Sequence, residues 1–194
     1  MNKRKAGGIS TQTLTLCSIL TAIVVLLQFL GAFVRFGPFS ISLVLLPIVV
    51  GAATCGPMAG LWLGVVFAVM VFATGDAGAF LGIDFFGTVV TVLLKGALCG
   101  YLAGLTYSLI SKKNRTLAVI SSAIVCPVVN TGVFLLGCRL FFFETLASWG
   151  AEAGFTNAVE YMFLGLAGGN FLFELALNII LTPIIVRLLS IRKL

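Results

Sequence analysis

Lys95 and Glu174 lie inside long apolar runs, and a charge set that deep in lipid needs a partner or a purpose. Counted from the loop-bearing ends of their segments, Lys95 is about nine residues deep and Glu174 about thirteen, roughly 14 and 20 Å at 1.5 Å per residue. They therefore fall at similar depth. Asn170, Glu174 and Asn178 follow at i, i+4 and i+8, one face of one helix. Asn130 and Thr131 enter the preceding segment at comparable depth, Thr88 and Thr91 precede Lys95 on its own helix, and Gln28 lies in the matching half of the first segment. A cation with amides and hydroxyls between apolar walls is the chemistry of a pocket for a small polar solute. Lys95 would favour a carboxylate there, because a charge-assisted hydrogen bond is strongest away from water. The alternative use of the same residues is a Lys95–Glu174 ion pair with the asparagines as interhelical hydrogen bonds.

Catalytic chemistry is poorly provided for. The chain has no His, which excludes His-ligated zinc and His-based triads. No phosphate-binding Gly-x-x-x-x-Gly-Lys-Ser/Thr occurs, so ATP hydrolysis would fall to another subunit. The single Ser-x-x-Lys, Ser190 to Lys193, lies in a basic tail. Cys17, Cys55, Cys99, Cys126 and Cys138 are scattered without a C-x-x-C and read as small packing residues. We expect no enzyme activity, no metal and no cofactor. Trp62, Tyr101, Tyr107 and Tyr161 are candidates for stacking on a flat ligand, although aromatics near span ends more often anchor at the interface.

The elements that must position these groups are membrane helices. Of 194 residues 60% are hydrophobic and 9% charged, against roughly 25% charged in a soluble domain. Apolar stretches of about 20 residues fit helices, not the alternating strands of a barrel. The expected fold is an all-α integral membrane protein, one compact six-helix transmembrane bundle and a single domain over 1–194. A basic tail covers 1–11, and the spans are placed at 12–34, 41–55, 58–74, 86–111, 117–139 and 161–189. Span two reads as short and broken by Pro47, with Gly56-Pro57 turning the chain into span three. The first apolar run is too long for a cleaved leader.

The net charge of +6 falls in clusters, Lys3-Arg4-Lys5, Lys112-Lys113-Arg115 and Arg187-Arg192-Lys193, each against the end of an apolar segment. That is the positive-inside pattern rather than a nucleic-acid surface, and it puts both termini in the cytoplasm. The opposite connections hold the acids Asp76, Asp84, Glu144, Glu152 and Glu160. These are an extended lid over 35–42, a glycine-rich loop over 75–84 and a long aromatic loop over 140–160. Small residues at fourfold spacing, Gly60-Gly64-Ala68, Gly96-Gly100-Gly104 and Gly165-Gly169, predict close helix packing.

The run Phe36-Gly-Pro-Phe-Ser-Ile-Ser-Leu-Val-Leu-Leu-Pro47, the turn Cys55-Gly-Pro-Met-Ala-Gly60 and the terminal Asn178-Ile-Ile-Leu-Thr-Pro-Ile-Ile-Val-Arg187 resemble the substrate-binding S components of energy-coupling factor (ECF) transporters. The likeness covers nearly the whole chain and is nearest the group with riboflavin, pantothenate and folate types. It implies a vitamin-binding subunit in a prokaryotic plasma membrane, working with a transmembrane T component and two cytoplasmic ATPases. It also implies a docking surface of small residues on the first helix, here Ser18 and Ala22, with Ser in place of the family's first Ala. The implied pocket opens outward, closed by the loop after the first helix and lined by helices four to six, where Lys95, Asn130 and Asn170 fall. Delivery inward would occur by toppling of the whole bundle. Pantothenate or another small acid follows from Lys95, riboflavin from an aromatic cavity with asparagines, and folate comes third. A non-transport membrane scaffold or cell-shape protein is the alternative of another class.

Overall fold

The computed structural model describes residues 11–33, 35–36, 39–40 and 43–191. The basic residues Lys3, Arg4, Lys5, Arg192 and Lys193 lie outside that range. Four helices are long and apolar enough to cross a membrane: α1 (Thr11–Phe33), α5 (Phe85–Ile110), α6 (Arg115–Phe141), and the stretch Ala158–Arg187. That last stretch comprises a short α8 (Ala158–Glu160), a π-helical segment (Tyr161–Gly168) and the first part of α9 (Gly169–Ile191). Shorter apolar helices α2 (Leu45–Cys55) and α3 (Pro57–Ala73) complete the bundle, with α4 (Gly78–Leu81) and α7 (Phe143–Glu152) at one end. Helices dominate because lipid offers the backbone no hydrogen bonds.

The turn between α2 and α3 is set by Gly56, at φ 95°, followed by Pro57 in the first turn of α3. That φ suits a residue without a Cβ, and Pro loses no bond where the N–H has no helical partner. Pro47 does not break α2, contrary to expectation. The helix begins at Leu45, so Pro47 sits in its first turn, and the span is shorter than 41–55. Ile41 and Ser42 are outside the described residues. Of the expected lid, Arg35–Phe36 and Phe39–Ser40 pair as antiparallel strands β1 and β2, and Gly37 and Pro38 are outside the described residues. Asp84 and Asn114 cap α5 and α6, each accepting a backbone N–H at 3.0 Å from Gly87 and Leu117.

Helix α2 is apolar all round and is the buried centre: Leu45, Ile48 and Val49 are fully buried among α1, α3, α5, α6 and α9. Beside it α3 and α5 run antiparallel at backbone contact. A Cβ added to Gly64 would strike the Gly96 carbonyl oxygen, one on Gly60 would strike that of Gly100, and Gly104 faces Pro57. The third expected pair does not behave this way. Gly165 lies under the Tyr161 ring and Gly169 faces open space, so neither seats a neighbouring helix backbone. The stretch expected as an aromatic loop over 140–160 contains α7, whose buried Leu146 packs with Phe80, Phe142 and Met162 in a second apolar cluster.

Candidate functional site

The glycine contacts determine where the site forms. Gly64 against Gly96 brings Phe67, one turn further along α3, to Lys95, whose Nζ stands 5.6 Å from the Phe67 ring centre. On the other side of α5, Thr91 occupies the space a side chain on Gly137 would need. This seats α6 so that Phe134 and Asn130, one and two turns before Gly137, face the same interior; Lys95 Nζ is 5.4 Å from the Phe134 ring centre. The ammonium between two ring faces is held by cation–π attraction. From α9, Asn170 Nδ2 donates to Glu174 Oε1 at 3.1 Å, and Asn178 Nδ2 donates to the Glu174 backbone oxygen at 2.9 Å. The π-helical segment before α9 carries Leu166 and Ala167 into the wall.

Together these elements line a partly open cavity of about 90 Å³. Lys95, Asn130, Asn170, Glu174, Thr91 and Gln28 all line it, as do Thr88 and Thr131. Gln28 donates to Asp76 Oδ2 at 2.6 Å, tying α1 to the segment after α3. Ser18 and Ala22 lie elsewhere, on the exposed face of α1, with the Ser18 hydroxyl donating to the Leu14 carbonyl at 3.0 Å.

Other lining residues were not expected from the sequence. Asp76, assigned to an acidic loop, turns back over the cavity because Gly75 takes φ 77° at the end of α3; a Gly just past a helix was the available signal. The aromatic wall is Phe67, Phe80, Phe134, Phe142 and Phe171. Of the aromatics singled out instead, none is among these lining residues. Trp62 is 54% exposed and donates to Thr21 Oγ1 at 3.2 Å, Tyr107 packs on the core, and Tyr161 packs with Phe155.

Thr91 Oγ1, Asn130 Oδ1 and Asn170 Oδ1 are buried without a hydrogen-bond partner. Asn178 Oδ1 and Thr182 Oγ1, which do not line the cavity, are in the same state, and each such atom costs about 1–3 kcal/mol. Thr91→Val, which keeps the shape and removes the hydroxyl, is therefore expected to raise the unfolding temperature of the empty protein while weakening solute binding. Melting curves with and without solute would show the opposite signs. A fall in both would mean Thr91 serves only structure.

Among the described residues no three His, Cys, Asp or Glu side chains are grouped to hold a metal ion. No curated protein and no solved structure matches the chain. Residues 12–186, nearly all of the bundle, match the model of the family described as ECF transporter, substrate-specific component, and the chain belongs to that family.

Proposed function

We propose that this chain captures a small water-soluble vitamin, pantothenate or riboflavin, at the outer face of a prokaryotic plasma membrane and delivers it inward as part of an ATP-driven transporter. Its family carries the coarser part: a multi-pass membrane subunit that binds substrate, is not itself an enzyme, and has T and ATPase partners. The observation supporting the finer part is the cavity with its three unpartnered buried oxygens.

In this reading α2 and α3 join the four long helices to make six crossings. Lys112, Lys113 and Arg115 at the α5–α6 turn then mark the cytoplasmic side, with both termini. The entrance is then at the opposite end, where Ala77, Phe80 and Phe142 line the cavity. Solute displaces water between the phenylalanine rings, and Lys95 donates to it where the low dielectric strengthens the bond. The backbone contact of α3 with α5 keeps the pocket's walls in register while the bundle topples against the T component. Ser18 and Ala22 offer the surface on which that partner seats.

Lys95→Met and Asn130→Ala are each expected to weaken binding at least tenfold, about 1.4 kcal/mol, with the fold intact. The check is a thermal-shift series on detergent-purified protein with pantothenate, riboflavin and folate. A ligand at about 100 times its Kd adds about 2.7 kcal/mol. Undiminished affinity in both variants would remove the site. A flat response of the folded wild-type protein to all solutes would bring the scaffold alternative forward.

A further inference from the structure

Four of the five cysteines, far apart in the chain, meet in two pairs, and we infer that one pair, Cys17 with Cys55, is a redox site whose reversible disulfide fastens α1 to α2. The helix packing sets the geometry. A Cβ on Gly51 would lie 3.2 Å from Leu20 Cδ1, which places α1 against α2 at that level. One turn back along α1 is Cys17 and one turn on along α2 is Cys55, and their thiols stand within hydrogen-bonding reach of each other. Thr54 Oγ1, 3.6 Å from Cys55 Sγ, is a further polar neighbour. Sulfurs in contact across facing helices meet the first requirement of a disulfide, that the two side chains point toward each other.

The second pair shows what singles out the first. Ser122 Oγ donates to the Ala103 carbonyl at 2.8 Å, joining α6 to α5, and one turn away Cys126 stands within hydrogen-bonding reach of Cys99. Both of these residues are fully buried, and Cys99 donates to the Gly96 carbonyl at 3.2 Å, so no soluble oxidant reaches them. Cys17 and Cys55 are half-buried, and Cys55 is the last residue of α2, beside the Gly56-Pro57 turn. A thiol has to be reached and ionised to exchange with a disulfide. On the cytoplasmic side, where the basic clusters put this turn, the pair stays reduced until the thiol pool is oxidised, as redox-sensing disulfides do. The Cys55 thiolate then attacks one sulfur of a low-molecular-weight disulfide and expels one thiol. Cys17 loses its proton and attacks the Cys55 sulfur of the mixed disulfide, expelling the second. The two cysteines give up two electrons and two protons, and the small disulfide leaves as two thiols. Helix α1, tied near its other end by Gln28 to Asp76, is thereby held at both ends.

The test uses the full-length protein in nanodiscs, equilibrated with glutathione disulfide, then denatured and alkylated for mass spectrometry. In most molecules three of the five thiols are expected to take the alkylating agent, with a Cys17–Cys55 cross-linked peptide in the digest and all five recovered after dithiothreitol. Cys17→Ser is expected to hold glutathione on Cys55 instead. The oxidised wild-type protein should unfold at a higher temperature than the reduced one, since the bond restricts the unfolded chain, and Cys17→Ser should show no such rise. Five alkylated thiols in the wild type, glutathione left on Cys17 or Cys55, or a bond between Cys99 and Cys126 instead would each overturn the inference. A Cys17–Cys55 bond that leaves the unfolding temperature unchanged would overturn it too, because α1 would not be fastened by it.

Discussion

Gly64→Ala is expected to lower the stability of the detergent-solubilised bundle by about 3 kcal/mol, the upper end for an overpacked interior, and Gly64→Val to leave little folded protein. The reason is geometric. An added Cβ would fall on the Gly96 carbonyl oxygen, which is backbone and cannot rotate away, so α3 and α5 must separate. In lipid, where apolar burial gives no drive toward association, that contact is a large part of what holds the pair. The separation would also draw Phe67 away from Lys95, so solute affinity should fall along with stability. Gly132→Ala is the control, since a Cβ there meets nothing within 4 Å and the helical preference of Ala should leave stability equal or up to about 1 kcal/mol higher. Thermal unfolding of the two variants should therefore move in opposite directions. Equal, small shifts would mean the α3–α5 contact contributes little.

The same contact explains which features were legible in the sequence. Gly60, Gly64, Gly96 and Gly100 repeat at helical spacing, so close packing of their helices followed from the pattern, while the pairing of α3 with α5 is seen only in the structure. Gly165 and Gly169 show the identical spacing without that packing, because the π-helical segment changes the phase of the chain just there. Nothing in the local pattern announces such a segment. Polar residues inside lipid-facing runs stand out one by one, so Lys95, Asn130, Asn170 and Glu174 could be named in advance. The phenylalanines could not. The chain has 17, each as suited to lipid as to a cavity, and only the position of neighbouring helices selects five of them as walls. Asp76 was hidden for a related reason, since its acidity suited a loop and only the turn at Gly75 brings it back to Gln28.

Ser18→Leu combined with Ala22→Leu is expected to abolish co-purification with the T component and its ATPases, a loss of at least about 100-fold or 2.7 kcal/mol, while solute affinity stays unchanged. Ser18 and Ala22 are exposed one turn apart on α1 and flanked by the exposed apolar residues Leu14, Ile19, Ile23 and Leu26. Leucines at the two small positions would suit lipid equally well, so the isolated protein should be as stable as before. A partner helix would lose the shallow groove that lets its backbone approach. The Ser18 hydroxyl is no obstacle to such an approach, because it is already bonded to the Leu14 carbonyl within its own helix. Binding is insulated because α1 reaches the cavity through Gln28, which is buried on another face and held by Asp76. Pull-down from membranes, read beside solute titration of the same variant, distinguishes the possibilities. Lost assembly with retained binding places docking on this face of α1. Retained assembly would move docking to another surface, and joint loss would mean that α1 shapes the cavity beyond its Gln28 contact.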